Sequence, residues 1–324
     1  MLKALTFCLC VLFAVNALLL KKGWYRTQAK SRRVALHDVE RFNQDTVPNV
    51  RYLRFGGRIP TLSKNSVSGL DKVNVMQFVF CGVAEVQPGA FQNLPALVTL
   101  GLSDNDIERV QAGVFNRLNV SVLFLQRNQI TTIDSQAFDD MPRLYKIKLN
   151  SNKISAWDQN WFRRTPALTE ILFRRNKIEQ IPNKAFVNIK GEHLKIYLSK
   201  NNISYIAPDA FQGLPELNQL WLDRNRIQEL DERTFSHFTK LGTLFLSKNK
   251  LRSLPEKMFP KLDVEVDILD LAGNDNLTCV PFGVASVVKM TYVQHVRRLD
   301  CNCVDELLDK LKQAGKINEV KTDC

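Results

Sequence analysis

The sequence predicts an α/β solenoid: a curved stack of short units whose strands align as one parallel sheet on the concave side. Three observations predict it. An asparagine recurs at Asn105, Asn128, Asn152, Asn176, Asn201, Asn225, Asn249 and Asn274, at spacings of 23, 24, 24, 25, 24, 24 and 25 residues. Ten residues after each but the last stands a phenylalanine: Phe115, Phe138, Phe162, Phe186, Phe211, Phe235 and Phe259. Around both runs the chain follows L-x-x-L-x-L-x-x-N-x-I-x-x-(V/L)-x-x-x-x-F-x-x-(L/F), as in the stretches from Leu97 and from Leu217. Two residue types locked in phase over seven units mark a structural period rather than a bias of composition.

The pattern has a physical reading. The x-L-x-L segment is a short strand, and its period of two sends the Leu pair inward. The Asn amide bonds backbone groups where the chain leaves the strand. The phenylalanines stack as a second apolar spine on the convex side. No unit buries its apolar face alone, so neighbours must stack. Nine strands at about 4.8 Å each give a concave surface roughly 40 Å long. These residues resemble the leucine-rich-repeat family, in its extracellular subclass of about 24 residues per unit, over roughly residues 50 to 275. The resemblance implies a curved horseshoe of nine to ten repeats. An earlier unit fits with Cys81 in the Asn place and Phe91 in the Phe place, and a degenerate first unit surrounds Leu53, Phe55, Ile59 and Leu62.

Taken in order, residues 1–17 read as a signal peptide: Lys3, an apolar run from Ala4 to Val15, and a cleavage point after Ala17. Residues 18–49 read as a basic arm and N-terminal cap. The arm holds Lys21, Lys22, Arg26, Lys30, Arg32 and Arg33, and is expected as a solvated tail, with contact to polyanions or processing at Arg32-Arg33 as alternatives. Extracellular members of the family usually begin with a cysteine-bearing cap, but no Cys lies between Leu18 and Phe80. Val34 to Asn49 are therefore expected to close the end through a short helix at Val39 and Phe42. Residues 50–275 carry the repeats, and residues 276–324 read as a disulfide-stapled cap.

In that cap Cys301-Asn302-Cys303, followed by Val304, Leu307, Leu308 and Leu311 at helical spacing, resembles the family's C-terminal cysteine cap, with Gly315 as a helix stop. The resemblance makes Cys279 and Cys324 the partners of Cys301 and Cys303, in either of two connectivities. Cys81 is expected as a free thiol buried in the Asn column. Three sequons, at Asn119, Asn202 and Asn276, are candidate glycosylation sites.

The residue four before each Asn marks the exposed centre of each strand. That column reads Gln77, Gly101, Phe124, Lys148, Leu172, Tyr197, Trp221, Phe245, Asp270. A solvated face would be polar, yet four large apolar residues run consecutively, with several hundred Å² expected to be exposed. Neighbouring columns are basic: Arg127, Lys146, Arg174, Arg175, Lys195, Lys200, Arg224 and Lys248, against Asp104, Glu170 and Asp223. The candidate ligand-binding residues are accordingly Phe124, Leu172, Tyr197, Trp221 and Phe245, with Lys148, Arg174, Lys195, Arg224 and Lys248.

Chemistry of other kinds is not visible. The four histidines have no metal-ligand spacing, and G-x-S-x-G, P-loop and H-E-x-x-H motifs do not occur. Neither a metal, a cofactor nor a catalytic residue is expected, and after the leader no apolar run is long enough to span a membrane. With 45 Lys and Arg against 33 Asp and Glu, the net charge is +12. The expectation is a secreted, non-enzymatic protein that binds an extracellular protein ligand on its concave face. Soluble members of the family, secreted insect leucine-rich immune proteins among them, imply roles in innate immunity or extracellular signalling. Two alternatives stand beside it: a matrix protein binding sulfated glycans, and a homodimer through the concave face. The leader disfavours a nucleic-acid partner.

Overall fold

The computed structural model describes residues 20–28, 33–260 and 265–324. The leader expected over residues 1–17, together with Lys30 and Arg32, lies outside them. One long sheet organises the chain. In chain order its strands are β1 (Leu20–Thr27), β2 (Val34–Val39), β3 (Tyr52–Gly57), β4 (Val75–Phe78), β5 (Thr99–Gly101), β6 (Val122–Phe124) and β7 (Lys146–Lys148). They continue as β8 (Glu170–Leu172), β9 (Lys195–Tyr197), β10 (Glu216–Trp221), β11 (Lys240–Phe245), β12 (Glu265–Asp270), β13 (Val288–Tyr292) and β14 (Glu319–Lys321). From β3 to β14 every neighbour is the next strand in sequence and pairs parallel; only the first hairpin reverses direction.

Within one repeat Leu100, Leu102, Ile107, Val110 and Phe115 are each 2% exposed or less. None of them reaches that burial without the turns on either side, so the repeat is stable only as part of the stack. On the convex side Phe115 and Phe138 stack at 6.1 Å, Phe138 and Phe162 at 5.6 Å, and Phe186 and Phe211 at 5.3 Å between ring centroids. Between Phe162 and Phe186 the Trp157 indole bridges the spine, 4.8 Å from the Phe186 ring. Its Nε1 donates to the Ala185 carbonyl at 2.8 Å, so the polar edge of this buried ring is satisfied.

The Asn ladder runs through the buried turn after each strand. In Asn176, Nδ2 donates to the carbonyls of Leu149 (2.9 Å) and Phe173 (3.0 Å), and Oδ1 accepts from the Ile154 N–H (3.2 Å). One side chain thus satisfies three backbone groups in two adjacent turns, at sites water does not reach. Asn105, Asn128, Asn152, Asn201, Asn225, Asn249 and Asn274 repeat the arrangement. Cys81 stands in the same column, 1% exposed and free, and its thiol faces the Phe55 carbonyl at 3.5 Å.

The two ends close differently. At the N-terminus the expected tail and short helix are replaced by a β-hairpin: β1 runs antiparallel between β2 and β3, and Leu20, Leu36 and Val39 enter the core. Of the two residues expected in a helix, Val39 instead ends the edge strand β2, and Phe42 follows it and packs onto Phe55 at 4.3 Å. Trp24 lies over Gly56, where any Cβ would overlap the indole, so the glycine admits the capping ring. At the C-terminus a short helix α1 (Phe282–Ala285) and β13 add a further turn between Cys279 and Cys301. Helix α2 (Cys301–Gln313) follows, capped by the Asp300 carboxylate on the Asn302 N–H at 3.0 Å. It buries Val304, Leu307 and Leu311, and Gly315 leaves it at φ +65°. The connectivity is Cys279–Cys303 and Cys301–Cys324.

Candidate functional site on the concave sheet

Parallel pairing in register brings the residue at the centre of each strand into one row across the sheet. From β4 onward the row is Gln77, Gly101, Phe124, Lys148, Leu172, Tyr197, Trp221, Phe245 and Asp270. It continues to Tyr292 on β13 and Lys321 on β14, and in the other direction to Arg54 on β3. Tyr292 escapes sequence reasoning because its repeat is disguised. Val288, Thr291, Val293 and Val296 occupy the places where the pattern calls for three leucines and an asparagine.

The aromatic part of the row is a stack. Tyr197 and Trp221 lie 5.6 Å apart at 27°, and Trp221 and Phe245 lie 3.8 Å apart at 28°. Gln219, one place over on β10, ties the polar tips together: its Oε1 accepts from the Tyr197 hydroxyl at 3.2 Å and from the Trp221 Nε1 at 3.3 Å. Leu172, Tyr197, Trp221 and Phe245 are half-buried rather than exposed. They shade one another, so the solvent-facing area is smaller than four separate side chains would offer. Burial raises the Tyr197 phenol above its ordinary range, with the Glu170 carboxylate adding to the rise. The hydroxyl therefore stays a neutral donor. Lys148 holds its ammonium 5.1 Å over the Phe124 ring, a cation–π contact that fixes the N-terminal side of the row.

The basic margin is partly neutralised. Each of the three acids expected among it binds a cation: Asp104 with Arg127, Glu170 with Lys146, and Asp223 with Arg224 at 3.9 Å. The Arg127 hydrogen bond holds the Asp104 carboxyl below the usual carboxylate range. Among the described residues Lys148, Arg174, Lys195 and Lys248 enter no ion pair, so these four keep their positive field. Gln126, Arg127, Lys148, Asn150, Arg174 and Arg175 line a cleft of about 300 Å³ beside the row. The three sequon asparagines, Asn119, Asn202 and Asn276, are half-buried at the surface away from the central row.

Among the described residues, no three or more His, Cys, Asp or Glu gather where they could hold a metal ion. Asp104, Glu170 and Asp223 are engaged in ion pairs, and Asp270, in the row itself, accepts from the Ala272 N–H at 3.0 Å. What the surface offers is a rigid apolar stack, polar tips held by one glutamine, and unpaired cations along the margin. Among the described residues, no helix is long and apolar enough to cross a membrane.

Known proteins place this architecture. A family model described as leucine rich repeat matches residues 95–154, 142–194, 192–227 and 216–275. Human Leucine-rich repeats and immunoglobulin-like domains protein 1 is 29% identical over 138 residues, covering 43% of this chain and 12% of its own length. Keratocan of Gallus gallus is 26% identical over 137 residues, 42% of this chain and 37% of its own. Toll-like receptor 3 of Boselaphus tragocamelus is 25% identical over 203 residues, 59% of this chain and 22% of its own. The matches thus span well under half the length of these relatives. Among solved structures, a chain of the Toll–Spatzle complex of Drosophila superposes with a TM-score of 0.59 at 17% identity, over 74% of this chain and 39% of that one. A chain of the octameric complex of Latrophilin 3, Unc5D and FLRT2 superposes with a TM-score of 0.54 at 21% identity, over 77% of this chain and 83% of that one. The family model covers more than half of the sequence in the phase of the Asn ladder, and the chain belongs to the leucine-rich repeat family.

Proposed function

We propose that this is a secreted, non-enzymatic recognition protein that captures an extracellular protein ligand on its concave face, in extracellular signalling or innate immunity. The observation that carries the reading is the apolar row on four successive strands, Leu172 followed by the stacked rings of Tyr197, Trp221 and Phe245. Its rings are already ordered by stacking and by Gln219, so a partner that covers them immobilises few free rotamers, which is what makes an apolar patch an efficient anchor. The unpaired cations at its margin steer an acidic partner toward it and affect the rate of encounter more than the final affinity. The superposed chains come from complexes with protein partners, one of them described as a hub in Drosophila development and innate immunity.

A capture experiment tests the reading. The wild-type protein and a Tyr197→Ala, Trp221→Ala, Phe245→Ala variant serve as baits in extracellular fluid of the source organism. The expected result is a protein retained by the first and lost by the second, with binding weakened at least about a hundredfold, about 3 kcal/mol, which a single strong hot spot among the three rings would supply. Equal retention by both baits would place the ligand elsewhere.

A further inference from the structure

A second surface lies along the edge of the solenoid, where each chain turn leaves the sheet. The residue just before the buried Asn of successive repeats is Arg175, Lys200, Arg224 and Lys248. All four have left-handed backbone, at φ between 55° and 57°. Each N–H donates to a carbonyl of the next turn: Arg175 to Ser199, Lys200 to Asp223, Arg224 to Ser247 and Lys248 to Ala272, at 2.8 to 3.0 Å. The residue just after the Asn forms a second row, Lys153, Lys177, Arg226 and Lys250, interrupted only by Asn202. These N–H groups donate back to Ile130, Ile154, Ile203 and Ile227 of the preceding turn, each at 2.8 Å. Two hydrogen-bonded ladders therefore hold eight cations at the pitch of the sheet.

Their charges are hardly opposed. Seven of the eight have exposed side chains, and Lys200 is half-buried. Among the described residues Arg224 meets Asp223 at 3.9 Å, and the other seven enter no ion pair. Arg175 and Arg224 lower the Lys200 ammonium below its ordinary range, so the neighbours on adjacent turns feel one another directly. Adjacent turns about 4.8 Å apart lie within the Debye length at physiological salt. A linear polyanion carries condensed counterions that a fixed row of cations displaces on binding, which makes such a chain the natural partner of this row. Neither row contains an aromatic residue, so the platform on which nucleic-acid bases stack is missing.

We infer that this double row is a binding track for a linear sulfated polysaccharide, running along the edge of the sheet beside the aromatic stack, with Lys248 on the border of both, and about 19 Å long over five turns. The test compares binding to immobilised heparin, to hyaluronan as an unsulfated chain, and to single-stranded polynucleotide, at 0.15 M salt. One variant carries Arg175→Ser, Lys200→Ser, Arg224→Ser and Lys248→Ser; Ser151 occupies the same left-handed place in its own repeat, so serine is sterically accommodated. A second variant carries Lys177→Ser, Arg226→Ser and Lys250→Ser. A control loses four exposed cations elsewhere, through Arg143→Ser, Lys190→Ser, Lys240→Ser and Lys257→Ser. Thermal melting confirms that each is folded. The expected result is heparin affinity at least about tenfold weaker in both row variants, a change within about twofold in the control, and no retention on hyaluronan. Equal losses in rows and control would reduce the effect to net charge and overturn the track, and tighter binding to polynucleotide than to heparin would overturn the polysaccharide.

Discussion

At the scale of single residues, the ladder position shows what the fold asks of one side chain. An asparagine there satisfies three backbone groups at once, and every repeat from Asn105 to Asn274 uses one. Cys81 fills the same place with a weaker donor, and burial pushes its thiol up to about 12, against the opposing pull of the nearby Arg54 charge. A free thiol near 8.5 is about one-quarter thiolate at pH 8, whereas one near 12 is about one part in ten thousand. Native protein is therefore expected to resist a disulfide reagent at pH 8, with Cys81 labelled only after the first repeats open in denaturant. Labelling at the rate of a free thiol would show that the N-terminal turns are not packed as described. The residue was readable in the sequence, because a 24-residue period fixes which column Cys81 must enter. The partner of the Tyr197 and Trp221 tips was not. Gln219 is an ordinary polar strand residue until the parallel register sets it between two rings.

At the scale of elements, the interior repeats were legible and the ends were not, for one physical reason. Interior strands face the same neighbours on both sides, so each repeats the same demand and leaves the same pattern. End strands face a neighbour on one side only, and each end solves that problem once. At the N-terminus the solution is an antiparallel hairpin with Trp24 over Gly56, which no period announces. At the C-terminus β13 keeps the register but replaces its leucines and asparagine with Val288, Thr291, Val293 and Val296. Two disulfides then close the end: Cys279–Cys303 ties α2 to the segment before α1, and Cys301–Cys324 ties the residues after β14 to the first turn of α2. Removing the Cys279–Cys303 bridge, which spans 24 residues, is expected to destabilise the cap by about 3 kcal/mol. The effect should be local. In a Cys279→Ser, Cys303→Ser variant, hydrogen exchange should accelerate in β13, α2 and β14, while strands β6 to β8 keep their protection. Uniform acceleration along the chain would mean that the solenoid unfolds as one unit.

At the scale of the whole molecule, the sheet runs unbroken from the first hairpin to β14, and its concave face changes character along its length. Arg54, Gln77 and Gly101 open the row, the aromatic stack occupies its C-terminal half, and Asp270 and Tyr292 follow it. The cations are uneven too: eight of them line the turns where the chain leaves the strands. Two proposed surfaces of different chemistry thus sit on one frame, one apolar and one cationic, and they meet at Lys248, which borders the aromatic stack and belongs to the track. The central claim is that the concave stack receives the ligand. Hydroxyl-radical footprinting, with and without the captured partner, tests it most directly, because the chain carries its own control. Tyr205, on the strand pair Tyr205–Ile206 away from the concave sheet, is 53% exposed. Protection of Tyr197 and Trp221 with Tyr205 unchanged is the predicted result; protection of Tyr205 with the concave rings still reactive would contradict it.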